Sequence, residues 1–214
     1  PLLTRPKVLL GLAAAAIVVA INWGVYVAAV TSGHTKDAAL GYFLNPLITV
    51  ALGVVVLREP LRRLQVLAVL IGLVAAAYLT IVGGQVPVIA LTLAVSFALY
   101  GLLKKRLGAS LDALHGLSVE TAVLLPVALV LLGPLSWVGG PHAGFGSLGQ
   151  TFGLVLTGPV TAVPLLLFAA AARRVPLVTI GLLQFLTPVM QLLCGLLLGE
   201  VVSSAQWVGF VIVW

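Results

Sequence analysis

The chain has 214 residues, of which 62% are hydrophobic and only 7% charged, with a net charge of +6 and a mean hydropathy of +1.26. An ordinary soluble domain carries about a quarter charged residues, so this composition excludes a water-soluble fold and makes the lipid bilayer the natural solvent. The eleven basic residues form no aromatic-interleaved basic face, which excludes a nucleic-acid partner, and the single Cys194 excludes an internal disulfide or a CxxC site.

A spanning helix needs roughly 20 apolar residues. Seven stretches meet that length in chain order: 8–31, 38–57, 64–83, 86–103, 116–138, 149–172 and 177–199. An eighth begins near Ala205 and runs to Trp214. The runs are about twice the length of a barrel strand and do not alternate, so helices are expected rather than a β-barrel. No charged residue falls in the middle of a span, the connections are short, and no soluble domain is expected. The chain opens on Pro1 and closes inside an apolar run, which reads as an internal piece of a longer protein.

The basic residues orient these helices. Arg5 and Lys7, then Arg58, Arg62 and Arg63, then Lys104, Lys105 and Arg106, then Arg173 and Arg174 all fall at one face. Lys36 alone lies at the other. By the positive-inside rule the N-terminal side and the connections after the second, fourth and sixth spans are cytoplasmic, in a multi-pass protein of the inner (plasma) membrane.

Two segments repeat. Phe43, Leu44, Pro46 and Gly53 reappear as Phe185, Leu186, Pro188 and Gly195 at an offset of 142, and Glu59 and Gln65 reappear as Glu200 and Gln206 at 141. Tyr26, Ala28 and Ala29 fall on Phe168, Ala170 and Ala171. The first three spans thus correspond to the last three. A shift of five spans is odd, so the copies have opposite orientations, the inverted-topology repeat found in secondary transporters with a site near the midplane.

The strings Asn22-Trp23, Leu40-Gly41-Tyr42-Phe43-Leu44-Asn45-Pro46-Leu47, Ser96-Phe97-Ala98-Leu99-Tyr100-Gly101 with Lys104-Lys105, and Gly158-Pro159-Val160-Thr161-Ala162-Val163-Pro164 resemble the RarD-type branch of the EamA family, within the drug/metabolite transporter superfamily. The resemblance covers essentially the whole chain. It implies an all-α inverted-repeat bundle of which this chain holds about eight of ten helices. Residues 1–112 would hold the third to sixth, ending the first repeat and starting the second. Residues 113–214 would hold the seventh to a truncated tenth. It also implies uptake or efflux of small metabolites; members are commonly labelled chloramphenicol-sensitivity permeases.

Polar groups in the bilayer usually face the bundle interior or a cavity. Asn22, Tyr42, Asn45, Tyr100, Thr161, Gln184 and Gln191 are the uncharged candidates for a cavity wall. Interhelical hydrogen bonding is the competing role for the amides, and packing is favoured for the two tyrosines. Pro46 and Pro188 should each bend their helix and free a carbonyl, that of Tyr42 and that of Gln184, giving symmetry-related hinges beside Asn45 and Gln184. Glu120 lies deepest of the five carboxylates and is the candidate for proton coupling, with snorkelling to the interface as the alternative. Glu59 and Glu200, at helix ends on opposite faces, read as end-of-helix polarity or partners of nearby arginines. Neither a phosphate-binding loop nor a metal-ligand spacing is present, so no cofactor or metal is expected. The expected function is secondary transport of a small organic solute by alternating access. The alternatives are a non-transporting membrane scaffold and a membrane-embedded enzyme, for which the convergent catalytic side chains are lacking.

Overall fold

The computed structural model describes residues 6–83, 88–108, 111–138 and 148–197. Eight helices cover them: α1 Pro6–Thr31, α2 Thr35–Leu57, α3 Arg63–Gly83, α4 Val88–Leu107, α5 Ala113–Val138, α6 Leu148–Arg174, α7 Leu177–Gln184 and α8 Leu186–Leu197. Among the described residues five helices are long and apolar enough to cross a membrane, and α3 and the α7–α8 pair contribute shorter apolar stretches. The expected eighth span, with Gln206, lies outside the described residues, as does Glu200.

The helix ends follow from local chemistry. Gly33 at φ +79° takes the left-handed turn after α1, and the His34 N–H closes on the Ala29 carbonyl at 2.7 Å. Gln65 accepts the Arg62 N–H at 2.9 Å, half of a capping box at the start of α3. Asp112 accepts the His115 N–H at 2.9 Å and starts α5. Basic side chains fill the last turns of α4 and α6, where the helix dipole favours them.

Two expectations need correction. The fourth span was placed at 86–103, with Lys104 in a loop, but α4 continues to Leu107 and carries Lys104 as a buried helical residue. The paired proline bends are not equivalent either. α2 runs unbroken through Pro46, whereas the 177–199 span is cut at Phe185, whose N–H turns back to the Leu182 carbonyl at 3.2 Å. Phe185 keeps a right-handed helical backbone, and Pro188 has no N–H to offer the Gln184 carbonyl four residues back.

The chain separates into two compact units, one of residues 1–17 and 103–174, the other of 18–102 and 175–214. In the second unit α2 is the central element. Its broadest contact is with α7, and it also touches α3 and α8. α2 and α7 are antiparallel: Val178 abuts Gly53 near the end of α2, and Gly181 lies against Pro46 and Val50, a turn or two earlier. A Cβ on Gly181 would fall 2.8 Å from Val50 Cγ2 and 3.0 Å from the Pro46 carbonyl, so the close approach requires glycine. Near the start of α2, Ala38 forms a small core with Ala29 of α1 and Leu93 of α4. Long apolar side chains such as Leu67, Val74 and Leu183 are exposed, as suits a surface solvated by lipid.

Candidate functional site

The second unit gathers most of the expected polar candidates. From α1, Asn22 donates through Nδ2 to the Leu93 carbonyl and to Ser96 Oγ, both at 2.9 Å. Its amide therefore ties α1 to α4, the helix-bonding role. One turn along, Tyr26 meets Tyr42 of α2 edge-to-face, ring centroids 6.1 Å apart. Tyr100 is fully buried with its ring tilted against Phe97 at 6.0 Å. Buried Asn45 accepts from the Thr49 hydroxyl at 3.3 Å, one turn further along α2.

At the α7–α8 break the pattern changes. Pro46 and Pro188 are both fully buried. Gln184, the last residue of α7, carries a buried Oε1 with no hydrogen-bond partner. It lies one turn beyond Gly181, the residue that abuts the Pro46 carbonyl. A buried acceptor without a donor is uncommon and marks a site that a ligand or water could satisfy. Gln191 lies in α8, its side chain outside the described residues. A groove of about 340 Å³ runs between α3 and α7, lined by Leu64, Ala68, Ile71, Leu182 and Phe185 with Gln65. Among the described residues none of the polar candidates lines it.

The first unit holds the other two candidates. Thr161 is half-buried in α6. Glu120 is almost completely buried and forms an ion pair with Lys104 of α4, Nζ to Oε1 2.6 Å. Gly116, one turn before Glu120, faces the same ammonium: a Cβ there would lie 3.6 Å from Lys104 Nζ. Snorkelling is thereby corrected, since the carboxylate is neutralised by an internal cation rather than reaching the interface. Sequence reading missed this partner because Lys104 sits in a run of three basic residues that resembles a loop. The signal was the continuation of the Tyr100 face, one helical turn on.

Glu59 is polar at a helix end, but the end it serves is that of another helix. Instead of pairing with an arginine, its carboxylate accepts the Leu177 N–H at 2.9 Å and the Val178 N–H at 2.8 Å, capping α7 from 118 residues away in sequence. The N-cap of α7 is Pro176, which offers no side-chain cap. Among the described residues no His, Cys, Asp and Glu side chains converge as a metal site.

Apolar helices of spanning length with buried polar side chains define a polytopic membrane protein. The comparisons with known proteins are specific. The chain belongs to the EamA-like transporter family, which it matches over residues 1–81 and 86–214. It is 46% identical to the protein RarD of Streptomyces exfoliatus, covering all of this chain and 67% of that protein. It is 44% identical to an uncharacterized transporter of Pseudomonas aeruginosa, over 98% of this chain and 70% of the relative. The protein RarD of Escherichia coli is 37% identical over all of this chain and 72% of its own length. No solved structure matches the chain.

Proposed function

We propose that this chain forms the greater part of a secondary carrier that moves a small organic solute across the cytoplasmic membrane by alternating access between two inverted repeats. The observation that carries the reading is the orphaned Gln184 Oε1 at the break between α7 and α8, packed against proline-bearing α2. Discontinuous helices at mid-membrane are where transporters build their sites, because the broken backbone supplies polar groups that lipid cannot. Two further facts support it. Repeat-related α2 and α7 pack antiparallel, as an axis in the membrane plane between them requires. The family match is interrupted at 82–85, between α3 and α4, where the resemblance ends the first repeat.

On this reading Asn45, Gln184, Pro46 and Pro188 line or hinge the site, with Gln191 on α8. Asn22 and Tyr100 hold α1 and α4 around it. Thr161 remains a candidate on α6. The positive-inside distribution supports a cytoplasmic side for the connections after α2, α4 and α6. The buried Glu120, paired to Lys104, is the group able to couple transport to protons.

The test is solute flux in membrane vesicles, with a panel that includes chloramphenicol, since one relative, from Pseudomonas aeruginosa, is named a chloramphenicol-sensitive protein RarD. Asn45→Ala or Gln184→Ala should reduce flux at least tenfold with membrane insertion kept. Unchanged flux in both removes the proposed site. Glu120→Gln should flatten the pH profile of transport, and an unaltered profile removes the coupling role.

A further inference from the structure

The ion pair buried in the first unit has a route to the surface. A cleft of about 10 Å³, close to the room that one water molecule needs, lies between Lys104 and the turn joining α4 to α5. Three charged side chains line it: Lys104 of α4, Asp112 just before α5 and Arg173 of α6. From α1 it is lined by the apolar Leu12.

Two glycines shape this cleft. A Cβ on Gly116 would stand 3.6 Å from Lys104 Nζ and 3.8 Å from Leu12 Cδ2, so a methyl group there would take the space beside the ammonium. A Cβ on Gly108 would collide with the Arg173 side chain, whose Nε donates to the Gly108 carbonyl at 3.0 Å.

The lining residues join a buried carboxylate to exposed ones. On the inner side Lys104 Nζ meets Glu120 Oε1 at 2.6 Å, the two side chains 5% and 2% exposed. On the outer side Asp112 and His115 are 50% and 65% exposed, with Asp112 Oδ1 2.6 Å from His115 Nδ1. A lysine ammonium carries three N–H donors, so Lys104 can hold Glu120 and meet water in the cleft at once. An imidazole is the kind of group that trades protons with bulk water near neutral pH.

We propose that His115, Asp112, one water in this cleft and Lys104 form a proton path from the membrane surface to Glu120. A proton taken up by His115 passes through Asp112 to the water. The water hands a proton to Lys104 as Lys104 releases one of its own to the Glu120 carboxylate. The net change is one proton gained by Glu120, with Lys104 an ammonium before and after. The inference rests on Glu120 as the coupling group for its purpose, but the path can be measured without transport.

The chain has four lysines, Lys7, Lys36, Lys104 and Lys105. Lys7→Arg, Lys36→Arg and Lys105→Arg together leave Lys104 as the one lysine, whose ammonium protons are followed by NMR of ¹⁵N-lysine-labelled protein in detergent. Their exchange with water is the readout. Gly116→Ala, whose methyl fits at ordinary van der Waals distances and fills the cleft, should slow that exchange at least tenfold. Asp112→Asn can still cap α5 but no longer takes up a proton, and should slow exchange at least threefold. Unchanged exchange in either variant overturns the path. If Gly116→Ala fails to fold, the Asp112→Asn arm decides alone. Slowed exchange, with a transport pH profile that Glu120→Gln leaves unaltered, keeps the path and removes the coupling role. Unchanged exchange beside a profile that Glu120→Gln flattens does the reverse.

Discussion

Lys104 and Glu120 are 5% and 2% exposed, with Nζ and Oε1 2.6 Å apart. At an effective dielectric of about 20 their attraction is about 6 kcal/mol. Desolvating each ion costs several kcal/mol, so the intact pair is close to neutral for stability. Removing one partner is another matter, since the remaining ion stays buried without its counter-charge, at a cost of roughly 3–5 kcal/mol. Lys104→Met and Glu120→Leu should therefore each destabilise strongly. The double variant should recover most of the loss, with a coupling energy of about 3 kcal/mol or more. For a chain of this size a loss of roughly 3–5 kcal/mol corresponds to a fall in Tm of roughly 6–20 °C. Thermal melts of the detergent-solubilised protein, followed by tryptophan fluorescence, complete the double-mutant cycle. Additive effects, with the double variant as damaged as the two singles combined, would refute the reasoning.

Further outcomes follow from the packing and the caps. Gly181→Ala should destabilise by about 1–3 kcal/mol through overpacking against Val50 and the Pro46 carbonyl. Gly24→Ala, with nothing within 4 Å of its added methyl, should be neutral or stabilising by up to about 1 kcal/mol in the same melt. Asp112 is exposed, and its carboxyl is held below the ordinary aspartate value chiefly by the His115 backbone N–H and then by the His115 side chain. A lowered folded-state pKa means that the cap on α5 is fully present above the unfolded aspartate pKa and is lost as pH falls through the lowered value. Hydrogen exchange of the first turn of α5 should then stay protected down to mildly acidic pH and accelerate below it, and Asp112→Ala should accelerate it already at neutral pH.

Hydropathy made the helices legible because a bilayer imposes a length on every crossing. Pairings between distant segments were less legible. Glu120 stood out by depth, but its partner was hidden in a run of basic residues, and only the buried face continuing from Tyr100 distinguishes Lys104 from Lys105. Glu59 read as end-of-helix polarity or an arginine partner because its partners are backbone N–H groups, which carry no sequence mark. The missing capper at Pro176 was the available clue. The two prolines looked equivalent by repeat position. Around Pro46, however, Phe43, Asn45, Leu47 and Val50 are buried and hold the turns together, whereas Leu183 and Leu186 beside the break are 65% and 51% exposed. The helix parts where its flanks are least clasped.

The irregularity at Phe185 has an electrostatic consequence. Phe185 keeps a right-handed helical backbone at φ −62° and ψ −16°, so the α7 and α8 dipoles run on in one direction. What changes is local. Pro188 has no N–H to offer the Gln184 carbonyl, and the Gln184 side-chain oxygen is buried without a partner. This one residue thus presents two kinds of acceptor at one level of the helix, and whatever satisfies them there is a hydrogen-bond donor.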